Sequence, residues 1–71
     1  MNQINPKKLM LSKWTAVNPQ NKEKHFIVSK VKFDDENNIS QCLLEAVMSN
    51  RETNIDWKEL KNSTQWKQGW V

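Results

Sequence analysis

The chain has 71 residues, the size of one small domain. Folding at this length buries only about 60% of the unfolded chain's surface, so a disulfide, a metal or unusually large core side chains must add stability. A single cysteine, Cys42, and a single histidine, His25, exclude an intrachain disulfide and a closed Cys/His metal site, and no cofactor is expected. The composition instead offers four tryptophans and no tyrosine: Trp14, Trp57, Trp66 and Trp70.

No segment approaches the about 18 consecutive apolar residues that span a bilayer. The first residues are polar and lack the apolar stretch of a signal peptide. A lone thiol fits a reducing compartment. We therefore expect a cytoplasmic protein that has no contact with membranes.

Charge is distributed unevenly around a net value of +3. Residues 1–33 carry seven lysines against Glu23, whereas residues 34–71 carry four cations against seven acids. A basic half suits phosphate or an acidic partner, but it also suits a solvated surface. Ten of the eleven cations are lysine, whereas nucleic-acid readers that need bidentate contacts favour arginine.

Residues 1–8 are expected to form a flexible lead-in to a single small tryptophan-rich domain, 9–71. An apolar run followed by alternation predicts a strand over 9–17, and Pro19 predicts a loop over 18–22. Residues 26–33 form the clearest strand, because they are rich in β-branched and aromatic side chains. The polar residues 34–38 predict a turn after it.

Residues 39–50 fit two patterns. Ile39, Leu43, Ala46 and Val47 recur at helical spacing, whereas a period of two predicts a strand buried on both sides. A five-residue link after a clear strand favours a hairpin, so strand is the first prediction and helix the alternative.

The C-terminal third starts with a predicted tight turn at 49–51 and a short strand at 52–55. Asp56 is a good N-cap, and Glu59 three residues later completes a capping-box pattern for a short helix or 3₁₀ turn over 57–61. The only glycine, Gly69, predicts a backbone turn that sets Trp70 against the rest of the domain.

The spaced tryptophans and their neighbours resemble a family of small bacterial tryptophan-rich proteins of unknown function. The matching runs are 5–9, 11–17, 21–26, 44–49 and 57–61, together with Pro19, Arg51, Trp66, Gly69 and Trp70. Where that family commonly has an aromatic residue and a proline, this chain has Thr53 and Asp56.

The resemblance implies architecture and no activity. Members of the family tend to be rich in β-branched residues across 39–49, which favours strand there. The expected fold is mainly β: an antiparallel meander of three to four strands with a short helix or 3₁₀ turn near the C-terminus. An SH3-like barrel is the curled form of that meander, and an α+β fold with residues 39–50 helical is the alternative.

Catalysis is not expected. A Cys42–His25 pair would need an electropositive setting that the sequence does not supply. Asp34, Asp35 and Glu36 lack the alternation of a calcium loop and fit a solvated turn. Glu45 and Glu52 can face each other across a hairpin, but no pocket is indicated around them.

The strongest functional pattern is lysine beside tryptophan. Exposed indoles stack unpaired bases while ammonium groups contact phosphates, although inward indoles and outward lysines would also follow from strand alternation alone. Trp14 and Trp57 are expected in the core, whereas Trp66 and Trp70 fit either the core or an exposed binding surface. The candidate binding surface comprises Lys7, Lys8, Lys13, Lys22, Lys24, Trp66 and Trp70.

The first functional hypothesis is a non-enzymatic domain that binds single-stranded nucleic acid, RNA in particular, through this surface. The alternative is a protein-interaction module or homodimer in which Trp66 and Trp70 are the anchors.

Overall fold

A computed structural model describes residues 1–71 as one five-stranded antiparallel sheet with two 3₁₀ turns. The 3₁₀ turns cover Pro6–Lys8 and Trp57–Lys61. The strands are β1 Lys13–Gln20, β2 Glu23–Phe33, β3 Ile39–Ala46, β4 Glu52–Ile55 and β5 Trp66–Gln68. Their order across the sheet is β4-β3-β2-β1-β5, so β4 and β5 are its two edges. The mainly β class is confirmed; the sheet is open, and no pairing of β4 with β5 closes it into a barrel.

The core lies on one face of this sheet. Six buried side chains form its centre: Leu9, Trp14, Val28, Cys42, Leu44 and Leu60. Trp14 is 2% exposed, and its indole N–H donates to the Ser12 hydroxyl at 2.8 Å. Burial of so large a ring is what a chain without disulfide or metal needs. Trp57 is half-buried and packs against the same core.

The strand prediction for residues 39–50 is confirmed over Ile39–Ala46. Cys42, Leu44 and Ala46 are buried at every second position, which is the period of a strand and not of a helix. The tight turn starts two residues earlier than predicted, at 47–49, and β4 occupies the predicted range. The Trp57–Lys61 turn is capped by Asp56, whose carboxylate accepts the Lys58 N–H at 3.0 Å.

The predicted strand over 9–17 is wrong at its start, and the predicted loop over 18–22 is largely strand. Leu9 is buried next to the first 3₁₀ turn, and Leu11 has φ 65°, which no strand allows; β1 begins only at Lys13. Pro19 lies inside β1, in the irregular stretch of register between Thr15 and Gln20. A proline is tolerated there because an irregularity removes the need for its missing N–H.

The N-terminal residues contact the second half of the chain. The Asn2 side-chain amide donates to the carbonyls of Leu60 and Trp66, each at 2.8 Å, and Ile4 packs against the core. These contacts join the 3₁₀ turn Trp57–Lys61 and the edge strand β5 to the start of the chain. Flexibility of residues 1–8 stays a prediction.

Candidate functional site

The two faces of the sheet carry different side chains. Cross-strand partners point to the same face, so the register groups Trp14, Phe26 and Ala46 on the core face. The same rule groups Lys13, Ile27 and Glu45 on the opposite face, which we call the outer face.

The outer face carries Trp70, which packs beside Lys13 and His25; we call these three residues the indole patch. The Lys13 ammonium lies 4.8 Å from the centroid of the Trp70 ring, and the His25 ring lies 5.9 Å from it. The Trp70 indole N–H donates to the Phe26 carbonyl at 2.9 Å. Trp70 is nevertheless 44% exposed, so a fixed indole with an adjacent cation faces solvent.

The chain reaches this position by a turn at Gly69. Its φ of +81° is a conformation that side chains other than glycine disfavour. The Thr15 hydroxyl donates to the Gly69 carbonyl at 2.7 Å and accepts the Val71 N–H at 3.1 Å. Thr15 is therefore buried on the outer face beneath residues 69–71. The predicted role of Gly69 is confirmed.

Lysines dominate the charge around the indole patch. Register assigns four of them to the outer face, together with two glutamates: Lys13, Lys30, Lys32 and Lys67 with Glu45 and Glu52. Their net charge is +2. Glu45 and Glu52 are direct cross-strand partners, as predicted, and Glu52 accepts from the Ser29 hydroxyl at 2.8 Å. A phosphate chain would therefore meet more cations than anions on this face.

A groove opens on the core side between β4 and β5, and we call it the amide groove. One of its two cavities, which we call the apolar cavity, has a volume of about 230 Å³. The apolar floor consists of Ala16, Phe26, Leu44 and Ile55, which come from four different strands. The sheet is therefore curved around this cavity.

Uncharged polar groups line the side of the amide groove formed by β1 and β5. Asn18, Gln20 and Asn21 line the apolar cavity with Trp66, and the second, larger cavity of about 340 Å³ shares Asn18, Gln20 and Trp66 with it. Trp66 is half-buried and meets Phe26 edge to face, with the ring centroids 5.2 Å apart. The hydrogen bonds of the structure leave the Trp66 indole N–H and these three amide side chains without protein partners, so their donors and acceptors face the groove or solvent.

An ion pair forms the remaining wall. Glu23 is 5% exposed and accepts hydrogen bonds from the Arg51 guanidinium, through both Nη2 and Nε, and from the Ser49 hydroxyl at 2.6 Å. The hydrogen bonds from Arg51 and then Ser49 hold the pKa of Glu23 below its usual value of 4.5. Glu23 is thus ionised at neutral pH, and with Arg51 it leaves the wall with no net charge.

Comparison with known families gives one match. Residues 12–71 match the model of a family described as "Tryptophan-rich protein (DUF2389)". The chain belongs to this family. The family has no assigned function. No curated protein and no solved structure matches the chain.

In this member of the tryptophan-rich family, the seven predicted binding residues do not share one surface. Lys13 and Trp70 meet on the outer face, whereas Trp66 lines the amide groove. The others are exposed in three places: Lys7 and Lys8 in the first 3₁₀ turn, Lys22 in the β1–β2 turn, and Lys24 in β2.

The sequence did not point to Glu23 or Arg51 as site residues. They lie 28 positions apart, in segments that look like ordinary polar turns. Only the pairing of β3 with its neighbours β2 and β4 brings them together. No local pattern could have identified this ion pair.

The sequence-level candidates for chemistry are dispersed. Cys42 is buried on the core face and His25 lies on the outer face, so the sheet separates them. The Asp34 carboxylate accepts the N–H groups of Glu36 and Asn38, each at 2.9 Å, which makes it a turn-stabilising residue. No three His, Cys, Asp or Glu side chains are grouped closely enough to hold a metal ion. Neither 3₁₀ turn is long and apolar enough to cross a membrane.

Proposed function

We propose that this chain is a non-enzymatic domain that binds single-stranded nucleic acid, RNA in particular, on its outer face. The observation that carries the proposal is the indole patch: Trp70 is 44% exposed with the Lys13 ammonium 4.8 Å from its ring. An unpaired base can stack on such a ring, while a neighbouring phosphate meets the lysine.

The surrounding charge supports the same function. Lys67 lies on β5, next to β1, and Lys30 and Lys32 lie on β2, so cations extend in two directions from Trp70. Stacking is worth about 1–3 kcal/mol per base and is tolerant of sequence. Binding through this face alone should therefore depend on salt more than on sequence.

The absence of catalysis and a cytoplasmic location belong to the same proposal. Cys42 and His25 are separated by the sheet, and the Glu45–Glu52 pair lies outside the cavities described above. Cys42 is a buried free thiol, which suits a reducing compartment.

The test is a titration of a fluorescently labelled ten-residue oligouridylate, followed by anisotropy at several salt concentrations. Wild-type protein should bind, with a log–log salt slope of about −0.7 for each phosphate neutralised. Trp70→Ala and Lys13→Gln should each weaken binding about tenfold.

Lys61→Gln is the matched control. The Lys61 ammonium also lies 4.8 Å from an indole centroid, that of Trp57, but this pair belongs to the 3₁₀ turn beside the core. Equal losses for Lys13→Gln and Lys61→Gln, or no binding at low salt, would overturn the proposed function.

The alternative function, a protein-interaction module or homodimer anchored by Trp66 and Trp70, has less support. The two indoles lie on opposite faces, so one flat partner cannot cover both. Sedimentation equilibrium distinguishes the alternatives: a mass that rises with protein concentration, and falls to the monomer value in Trp70→Ala, would favour the homodimer.

A further inference from the structure

We infer that the amide groove is a pocket for a single unpaired nucleobase, which would make it the base-selective part of the proposed nucleic-acid surface. The groove and the indole patch lie on opposite faces, but Trp66 and Trp70 both belong to the C-terminal segment around β5. This strand is a sheet edge and only three residues long. A single strand that stacks on Trp70 can therefore pass over this edge and insert its next bases on the other side.

The size and floor of the groove suit one base. Drug-sized ligands occupy sites of about 300–1,000 Å³, whereas the apolar cavity has about 230 Å³, and the adjoining cavity of about 340 Å³ has room for the sugar that a base carries. Phe26 on the floor meets Trp66 on the adjoining side edge to face, beside Leu44 and Ile55. Aromatic and aliphatic side chains of this kind accept the face of an unstacked base.

The polar groups of the groove suit the edge of a base. Asn18, Gln20 and Asn21 each present a carbonyl acceptor and an NH₂ donor, and the Trp66 indole adds a donor without a protein partner. Amide side chains pair with base edges because they match an adjacent donor and acceptor. These groups have no internal use in the fold, in contrast to the Trp14 and Trp70 indoles, whose N–H groups are bonded to the protein.

Charge favours a neutral heterocycle inside the groove and phosphate outside it. Glu23 and Arg51 compensate each other within the wall, so neither a free anion nor a free cation is favoured there. Lys22 is exposed and lies beside Asn21, Glu23 and Arg51 at that end of the groove. A base in the cavity would leave a phosphate near this lysine.

The experiment uses the four uncharged nucleosides as probes, followed by ¹H–¹⁵N NMR of the full chain. At least one nucleoside should shift the Trp66 indole and Asn18 side-chain signals saturably, whereas any shift at Trp70, where bases stack without selectivity, should be alike for all four nucleosides. Asn18→Leu removes the amide at constant size and should abolish the response. Asn54→Leu, on the outer face of β4, makes the same chemical change and should leave it intact.

Oligonucleotides test whether the same pocket also selects a base within a single-stranded nucleic acid. Wild-type protein should prefer one homopolymer by about tenfold, and Asn18→Leu should bind all four alike. Binding of oligonucleotides without base preference, and without a nucleoside response, would overturn the pocket and leave the proposed function intact. A nucleoside response without any oligonucleotide binding would support the pocket and overturn that function. A response to N-acetyl-tryptophanamide alone would overturn the pocket in favour of a protein side chain.

Discussion

Trp66 and Trp70 lie on opposite faces of one sheet, although only three residues separate them in the chain. Trp66 follows the alternation of β5 and packs towards the core with Phe26. Trp70 is carried to the outer face by the turn at Gly69. The two indoles therefore serve different surfaces, and each can be altered without direct change to the other.

Gly69→Ala should release Trp70 from the outer face. The new methyl group would meet no atom within 4 Å, so the cost is conformational and arises from φ +81°. We expect a loss of about 1 kcal/mol in the free energy of unfolding. Urea denaturation measures this loss, and iodide quenching should show greater exposure of Trp70.

Lys67→Ala is the control for Gly69→Ala, since it changes an exposed neighbour on β5 without affecting the backbone. It should alter stability by less than about 0.5 kcal/mol. If Gly69→Ala changed neither the free energy of unfolding nor the iodide quenching, the turn at Gly69 would not be what positions residues 69–71.

Lys22→Gly should stabilise the protein while it weakens nucleic-acid binding. Asn21 and Lys22 have φ of 56° and 61°, which is the left-handed pair of a type I′ hairpin turn, and glycine is preferred at its second position. We expect a gain of about 0.5–1 kcal/mol in the free energy of unfolding. Loss of one phosphate contact should reduce the magnitude of the salt slope by about 0.7.

Asn37→Gly is the matched control, because Asn37 has φ 64° in the β2–β3 turn and no charge. Asparagine tolerates this conformation, so the gain in stability should be smaller and the salt slope unchanged. An unchanged salt slope in Lys22→Gly would remove Lys22 from the binding surface.

Local patterns predict β2, β3 and β4 but neither the start of β1, nor β5, nor the surfaces. The β-branched run of β2 and the two-residue period of β3 depend on neighbouring residues, and both strands are present. The prediction that β1 starts at Leu9 is wrong because an apolar residue before a strand can be buried without belonging to that strand. β5 was not predicted as a strand, since three polar and aromatic residues have no period of their own.

The candidate site depended on long-range geometry. Size and alternation suffice to assign Trp14 to the core. The faces on which Trp66 and Trp70 lie depend on which strand β5 pairs with. The Glu23–Arg51 pair likewise depends on the register of β3 with β2 and β4. Patterns of neighbouring residues in the sequence do not predict that register.

Acid should destabilise the protein through Glu23. The Arg51 and Ser49 hydrogen bonds lower the pKa of this carboxyl in the folded state, so its contribution to stability is complete above the unfolded pKa. That contribution is lost as pH falls below about 4.5 and through the folded pKa. Urea denaturation between pH 3 and 7 should therefore show that the free energy of unfolding falls more steeply with decreasing pH in wild-type protein than in Glu23→Gln.

Glu36→Gln serves as the comparison for Glu23→Gln, because Glu36 is exposed in the β2–β3 turn and its carboxylate makes no hydrogen bond to the protein. The free energy of unfolding of Glu36→Gln should fall with decreasing pH as steeply as that of wild-type protein. The same dependence of stability on pH in wild-type protein and Glu23→Gln would show that the Glu23–Arg51 ion pair does not set the stability in acid.

Cys42 should be chemically silent in the folded protein. Its side chain is 1% exposed in the centre of the core, and burial raises the pKa of the thiol, so the reactive thiolate is disfavoured. Labelling by a thiol reagent such as dithionitrobenzoate should therefore require unfolding, and its rate should rise with urea in parallel with the loss of structure. Val28→Ala opens the core beside the thiol and should accelerate labelling, whereas Val17→Ala, at an exposed position of β1, should not. Rapid labelling of the wild-type protein without urea would mean that Cys42 is accessible in the native state, and the core around it would then have to open locally.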